Sequence, residues 1–110
     1  VLYDSTPPLL LSTEPVHNAV GVGEMVNISL TFDEDIQAGN GTVQLLTTST
    51  TVSIDASDLV VINRVVSIPA SLHGGLNSGS WRVYVPASAI EDIAGNSFAG
   101  ISDGSFNLHV

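Results

Sequence analysis

Residues 25–33 alternate. Val26, Ile28, Leu30 and Phe32 are apolar, and Asn27, Ser29, Thr31 and Asp33 between them are polar. A period of two belongs to a strand, because successive side chains on a strand point to opposite faces. A helix would need apolar residues three and four apart, and no segment of this chain sustains that spacing. Trp81, Val83 and Val85 alternate with Arg82 and Tyr84, and Phe106, Leu108 and Val110 with Ser105, Asn107 and His109. Each of these strands has one face for a core and one for water. The chain is thereby confined to folds in which sheets bury one face each.

Shorter strands are expected at Leu9 to Ser12, Thr42 to Leu46, Val52 to Ile54, Leu59 to Ile62 and Val65 to Ile68. Turn signals separate them: Gly21 and Gly23, Gly39-Asn40-Gly41, Asp55 to Asp58, Asn63-Arg64, the loop His73 to Gly79, and Ala94-Gly95-Asn96. Ser88 to Asp92 reads as a single helical turn. Seven or eight short strands at this spacing indicate a β-sandwich or a barrel. Phe32, Trp81 and Phe106 are the expected anchors of its core.

A chain of 110 residues suits one domain. Residues 1–8 read as a linker and 9–110 as the domain, with both ends reading as cuts at module boundaries. There is no cysteine, so neither a disulfide nor a thiolate zinc site is available. Lysine is also absent; Arg64 and Arg82 face eleven acids, for a net charge of -9. Nucleic-acid binding needs a basic face that displaces counterions, and this chain cannot build one. Anionic membranes are disfavoured for the same reason. No apolar run approaches the ~20 residues of a membrane helix.

The order of motifs resembles a bacterial Ig-like domain family. It runs from Asp4, Pro7 and Pro8 through Leu11-Ser12-Thr13-Glu14-Pro15 to Leu30-Thr31-Phe32-Asp33-Glu34-Asp35-Ile36 and the Gly39 to Gly41 turn. Ser80-Trp81-Arg82-Val83-Tyr84-Val85 follows. The most specific piece is Ala89-Ile90-Glu91-Asp92-Ile93-Ala94-Gly95-Asn96, with Phe98 to Asp103 after it. The resemblance spans nearly the whole chain. It implies an all-β, immunoglobulin-like Greek-key β-sandwich of about seven strands. It further implies a spacer or adhesive repeat of surface-layer proteins and giant adhesins, and it does not itself imply an activity.

In such a Greek key, alternating strands return distant acids to one pole. Asp4 precedes the first strand, Asp33, Glu34 and Asp35 end the second, and Glu91, Asp92 and Asn96 lie in the last inter-strand loop. Calcium takes 6–8 oxygen ligands, mostly carboxylates and carbonyls. Asp4, Asp33, Asp35, Asp92 and Asn96 are therefore candidate calcium ligands that would stiffen the N-terminal pole. The other reading is solvated loop acids, with Asp92 capping the amides of the turn before Gly95 and Asn96. No complete EF-hand loop is present.

Other constellations are weaker. His17, His73 and His109 have no ligand spacing and read as solvent-exposed bystanders. There is no nucleophile elbow, and Glu34 with Asp35 cannot flank one glycosidic bond from adjacent positions. Asn27-Ile28-Ser29 and Asn40-Gly41-Thr42 match the N-glycosylation pattern, with Asn27 on a wet face and Asn40 in a turn. Such triplets also arise by chance in a chain rich in Ser and Thr.

The expected role is a non-catalytic extracellular spacer of a larger cell-surface, adhesin-type or fibre-forming protein, whose partners are the neighbouring domains of the same chain. Two alternatives stand beside it. One is a module whose polar loops bind a glycan or protein ligand, with Tyr84 as its exposed aromatic. The other is a filament subunit that exchanges strands through open sheet edges.

Overall fold

A computed structural model describes residues 6–102 and 104–110. The strands are β1 Leu10–Glu14, β2 Ile28–Phe32, β3 Ile36–Ala38, β4 Thr42–Leu46, β5 Thr51–Asp55, β6 Val60–Ile62, β7 Val65–Ile68, β8 Ser80–Tyr84, β9 Ile90–Asp92 and β10 Asn107–His109. One sheet has the order β1-β2-β7-β6 and a second the order β10-β8-β4-β5, while β3 and β9 form a two-stranded ribbon. All these pairings are antiparallel.

The alternation read in the sequence sets the two inner faces. Ile28, Leu30 and Phe32 are buried from one sheet, with Val66 and Ile68 beside them. Val43, Leu45, Trp81, Val83 and Leu108 are buried from the other. Two half-apolar sheets hide these faces from water only by stacking on each other. Trp81 carries a polar edge into that interior, and its indole N–H donates to the Asn77 carbonyl at 2.8 Å, as a buried tryptophan requires.

The strand read at Leu9 to Ser12 forms one step later, as β1. Its register on β2 shifts between Leu10 and Ser12, which leaves Leu11 exposed. Beyond β1 the chain crosses to the other sheet. Asn18 N–H donates to the Asn107 carbonyl, His109 N–H to Ala19 and Val22 N–H to His109, at 2.8, 2.9 and 3.1 Å. Residues 18–22 thus run parallel to β10 and cover its outer edge.

Two local expectations are corrected. Ser88 to Asp92 is not a helical turn; its second half is β9, paired with β3 so that Ile36 faces Asp92 and Ala38 faces Ile90. Ile90 and Asp92 are both buried, a period-two requirement that a helical turn cannot meet. The helical turn lies instead at α1, Ala70–His73. Asn27 Oδ1 accepts its first amide, Ala70 N–H, at 2.9 Å. Gly74 closes it in the left-handed conformation, φ 74, with its N–H on the Ala70 carbonyl.

His73 is the second correction. It is buried rather than exposed, because α1 turns its ring beneath the start of β2. Nε2 lies 2.7 Å from the Val26 carbonyl, and Nδ1 accepts Gly75 N–H at 3.0 Å. Those two partners select the tautomer with the proton on Nε2.

Close approach explains one glycine of the 39–41 turn. A Cβ at Gly39 would fall on the Ser88 carbonyl oxygen. Gly39 N–H and Asn40 N–H donate to the carbonyls of Ala89 and Ser88 at 2.8 and 2.7 Å, which clamps this turn to the segment leading into β9.

Candidate functional site

The strand directions gather the acid-bearing segments at the N-terminal pole. Asp33 follows β2. Its N–H donates to the Leu9 carbonyl at 3.0 Å, and its Oδ1 accepts Leu9 N–H at 2.9 Å. These two bonds seal the segment before β1 onto the end of β2. Asp35 is exposed, and its carboxylate lies 4.0 Å from the Arg64 guanidinium. An open pair at that distance contributes little. Ile36 N–H donates to the Asn63 carbonyl at 3.0 Å, bringing the β6–β7 turn to the same pole. The β3–β9 register sets Asp92 opposite Ile36 and Glu91 opposite Gln37.

Asp92 is fully buried. A carboxylate taken out of water must be met by donors. Oδ1 accepts Asn96 N–H at 2.7 Å, and Oδ2 accepts Asn96 Nδ2 at 2.9 Å. The backbone adds Asp92 N–H to the Asn96 carbonyl at 2.9 Å and Gly95 N–H to the Asp92 carbonyl at 3.1 Å. Gly95 makes the reversal at φ 92. Beside this clasp, Glu91 Oε1 accepts Gln37 Nε2 at 2.8 Å, a contact across the ribbon that no sequence signal marks.

Of the candidate cation ligands, Asp33, Asp35, Asp92 and Asn96 therefore share one pole, and Asp92 and Asn96 hold each other. Asp4 lies outside the described residues. Among the described residues no three of His, Asp or Glu form a group able to hold a metal ion.

The remaining histidines are exposed or half-buried. His17 Nδ1 accepts Asn107 N–H at 2.9 Å. His109 Nδ1 lies 3.0 Å from Ser80 Oγ on the outer face of β8 and β10. Both glycosylation asparagines are exposed. The oxygen of Asn27 is engaged with α1, while Asn40 sits at the tip of the turn before β4. Tyr84 is on the outer face of β8, opposite in direction to Trp81 and Val83. Thr47 Oγ1 accepts the amides of Ser49 and Thr50 at 3.2 and 2.9 Å, so the Thr-rich stretch is the β4–β5 hairpin loop at the opposite pole.

No helix among the described residues is long and apolar enough to cross a membrane. No curated protein and no solved structure gives a match. The sequence profile of the bacterial Ig-like domain matches residues 4–107. That span runs from the segment before β1 into β10 and takes in both stacked sheets, the β3–β9 ribbon and the Asp92–Asn96 turn, so the chain belongs to the bacterial Ig-like domain family.

Proposed function

We propose that the chain is a non-catalytic spacer module of a larger extracellular, cell-surface or adhesin-type protein. Domains of its family are typically extracellular modules of larger surface proteins, generally structural or binding in role. The observation that carries the spacer reading is the axial placement of the two ends. Leu9 is bonded to Asp33 at one pole, and Val110 exchanges bonds with Gly79 at the other, at 2.9 and 3.0 Å. The principal extents of the molecule are 51 × 24 × 22 Å. Because residues 18–22 run parallel to β10, tension between the two poles pulls the two segments past each other. Their three hydrogen bonds must then fail together rather than one by one.

Pulling the module from its two ends in a force spectrometer tests this. We expect one discrete unfolding event, whose force falls in Val22→Pro, where the amide that bonds His109 is removed. Smooth extension at low force, with no discrete event, would contradict a spacer that carries tension.

A calcium-stiffened N-terminal pole is the second reading. It is favoured by the β3–β9 register, which sets the segment holding Asp33 and Asp35 beside Asp92 and Asn96. Hard oxygen donors suit calcium, but the described residues do not complete a cage, so Asp4 would have to contribute. Thermal unfolding in excess EDTA and in millimolar calcium decides it. A ligand at about 100 times its dissociation constant adds ~2.7 kcal/mol, which raises the melting point by several degrees. Equal melting points would leave a metal-independent spacer.

A further inference from the structure

Eleven acids stand against two bases in this chain, yet the strands of the sheet β10-β8-β4-β5 carry only one acid, Asp55. It ends the edge strand β5, opposite Thr42 and at the far end of β4 from Leu46. Arg82 stands on the outer face of the same sheet, exposed between the buried Trp81 and Val83. The registers set Asn107 beside it on β10 and Leu46 beside it on β4, and they set His109 beside Ser80. Arg64 has the Asp35 carboxylate at 4.0 Å, whereas among the described residues no carboxylate reaches Arg82.

A cavity of about 330 Å³ opens next to Arg82. The charged and polar residues in its wall are Thr47, Thr48, Ser80, Arg82, Asn107 and His109, and among the described residues no acid lines it. A second cavity of about 330 Å³ shares Thr47, Thr48 and Ser80 with the first and runs on to Asn77 and Ser78. The wall is held from within. Thr47 N–H donates to the Thr50 carbonyl at 2.8 Å, Thr47 Oγ1 accepts the amides of Ser49 and Thr50, and Ser80 Oγ lies 3.0 Å from His109 Nδ1. Asn107 Oδ1 is enclosed and meets no donor among the described residues.

We propose that this groove binds a carboxylated sugar, with the carboxylate on Arg82 and the ring hydroxyls on Ser80, Asn107 and the Thr47–Thr48 loop. A guanidinium without a partner takes a carboxylate through two parallel hydrogen bonds. Hydroxyls and amides both donate and accept, and the threonine methyl groups between them meet the C–H faces of a sugar ring. Small-ligand sites span about 300–1,000 Å³, so the groove suits a short saccharide rather than a folded partner. Tyr84 stands on the same face two residues beyond Arg82, about 7 Å along the strand, and its ring offers a flat apolar face to the next sugar of a chain. A wall fixed by its own hydrogen bonds loses little freedom on binding. The acids elsewhere repel anions from the rest of the surface, which confines such a ligand to this face. The site adds a binding role to the axial one proposed above without depending on it.

A heteronuclear NMR titration of the chain with trigalacturonate, with neutral galactotriose and with triglutamate tests this. Trigalacturonate should bind saturably and shift the amides of Arg82, Asn107 and His109, with the other two probes about tenfold weaker or more. Arg82→Gln should weaken trigalacturonate by about tenfold or more. Arg82→Lys, which keeps the charge and loses the fork, should retain part of the affinity. Arg64→Gln, in the β6–β7 turn at the N-terminal pole, should change nothing. Arg82 is exposed, so the urea midpoint of its variants should hold. The absence of saturable shifts up to millimolar trigalacturonate overturns the proposal. So does galactotriose or triglutamate binding as tightly, or an Arg82→Gln variant that binds no more weakly than Arg64→Gln.

Discussion

Replacing Phe32 by alanine is expected to cost about 3–5 kcal/mol of stability, the usual range for emptying a fully buried aromatic site. Phe32 has no exposed surface. It closes β2, an inner strand of its sheet, and its ring meets Phe98 edge-on with centroids 5.0 Å apart and planes at 80°. Phe98 lies on the segment between β9 and β10, so one aromatic contact ties the first sheet to the chain feeding the second. An edge-to-face pair adds about 0.5–1.5 kcal/mol beyond burial, and both parts are lost together. Small domains are stable by only about 5–15 kcal/mol, so urea unfolding should show a large drop in midpoint with an unchanged slope. Phe32→Leu, which keeps much of the volume, should lose distinctly less. An unmoved midpoint in Phe32→Ala would mean that this ring does not anchor the core.

Asp92→Ala is expected to cost about 2–4 kcal/mol, although it removes no apolar contact. The loss comes from Asn96, whose backbone N–H and side-chain amide both donate to the Asp92 carboxylate. Truncation leaves those donors without an acceptor in a buried place, and an orphaned buried group costs about 1–3 kcal/mol. Asp92→Asn separates charge from shape. An asparagine there has one accepting oxygen where the carboxylate has two, so one Asn96 donor faces an N–H. It should lose about 1–3 kcal/mol by the same reasoning, with faster hydrogen exchange at the Asn96 amide. A variant matching the parent in both midpoint and exchange would show that the carboxylate does not hold the turn.

These two residues differ in how far the sequence reveals them. Phe32 is legible because its strand alternates without a break, and a period of two on a chain without helical periods permits only one kind of layer. Trp81, Val83, Phe106 and Leu108 follow from the same periodicity, and all are buried. Asp92 is half legible. Its place before Gly95 and Asn96 marks a turn with a capping carboxylate, and the clasp on Asn96 has that form. Its complete burial is not legible, since it follows from β9 lying against β3, fifty-odd residues away in the chain. Three-residue strands such as β3 and β9 carry too few alternations to announce themselves.

His73 shows the limit most plainly. Beside Gly74 and Gly75 it has the surroundings of an exposed loop residue, and only the turn of α1 beneath Val26 hides it. The acids of the N-terminal pole lie between these cases. A Greek-key strand order returns Asp33 and Asp35 to the end where Asp92 and Asn96 stand, and the structure places them there. The order of strands does not say which carboxylate faces which donor.

The sequence by itself determined the layers, the faces that meet between them and the family, because hydrophobic alternation and ordered turn motifs are local properties of the chain. Only the tertiary structure decided which polar groups are buried and which acids hold each other. Those depend on pairings between residues far apart in sequence, where an ångström of approach separates a hydrogen bond from a solvated charge.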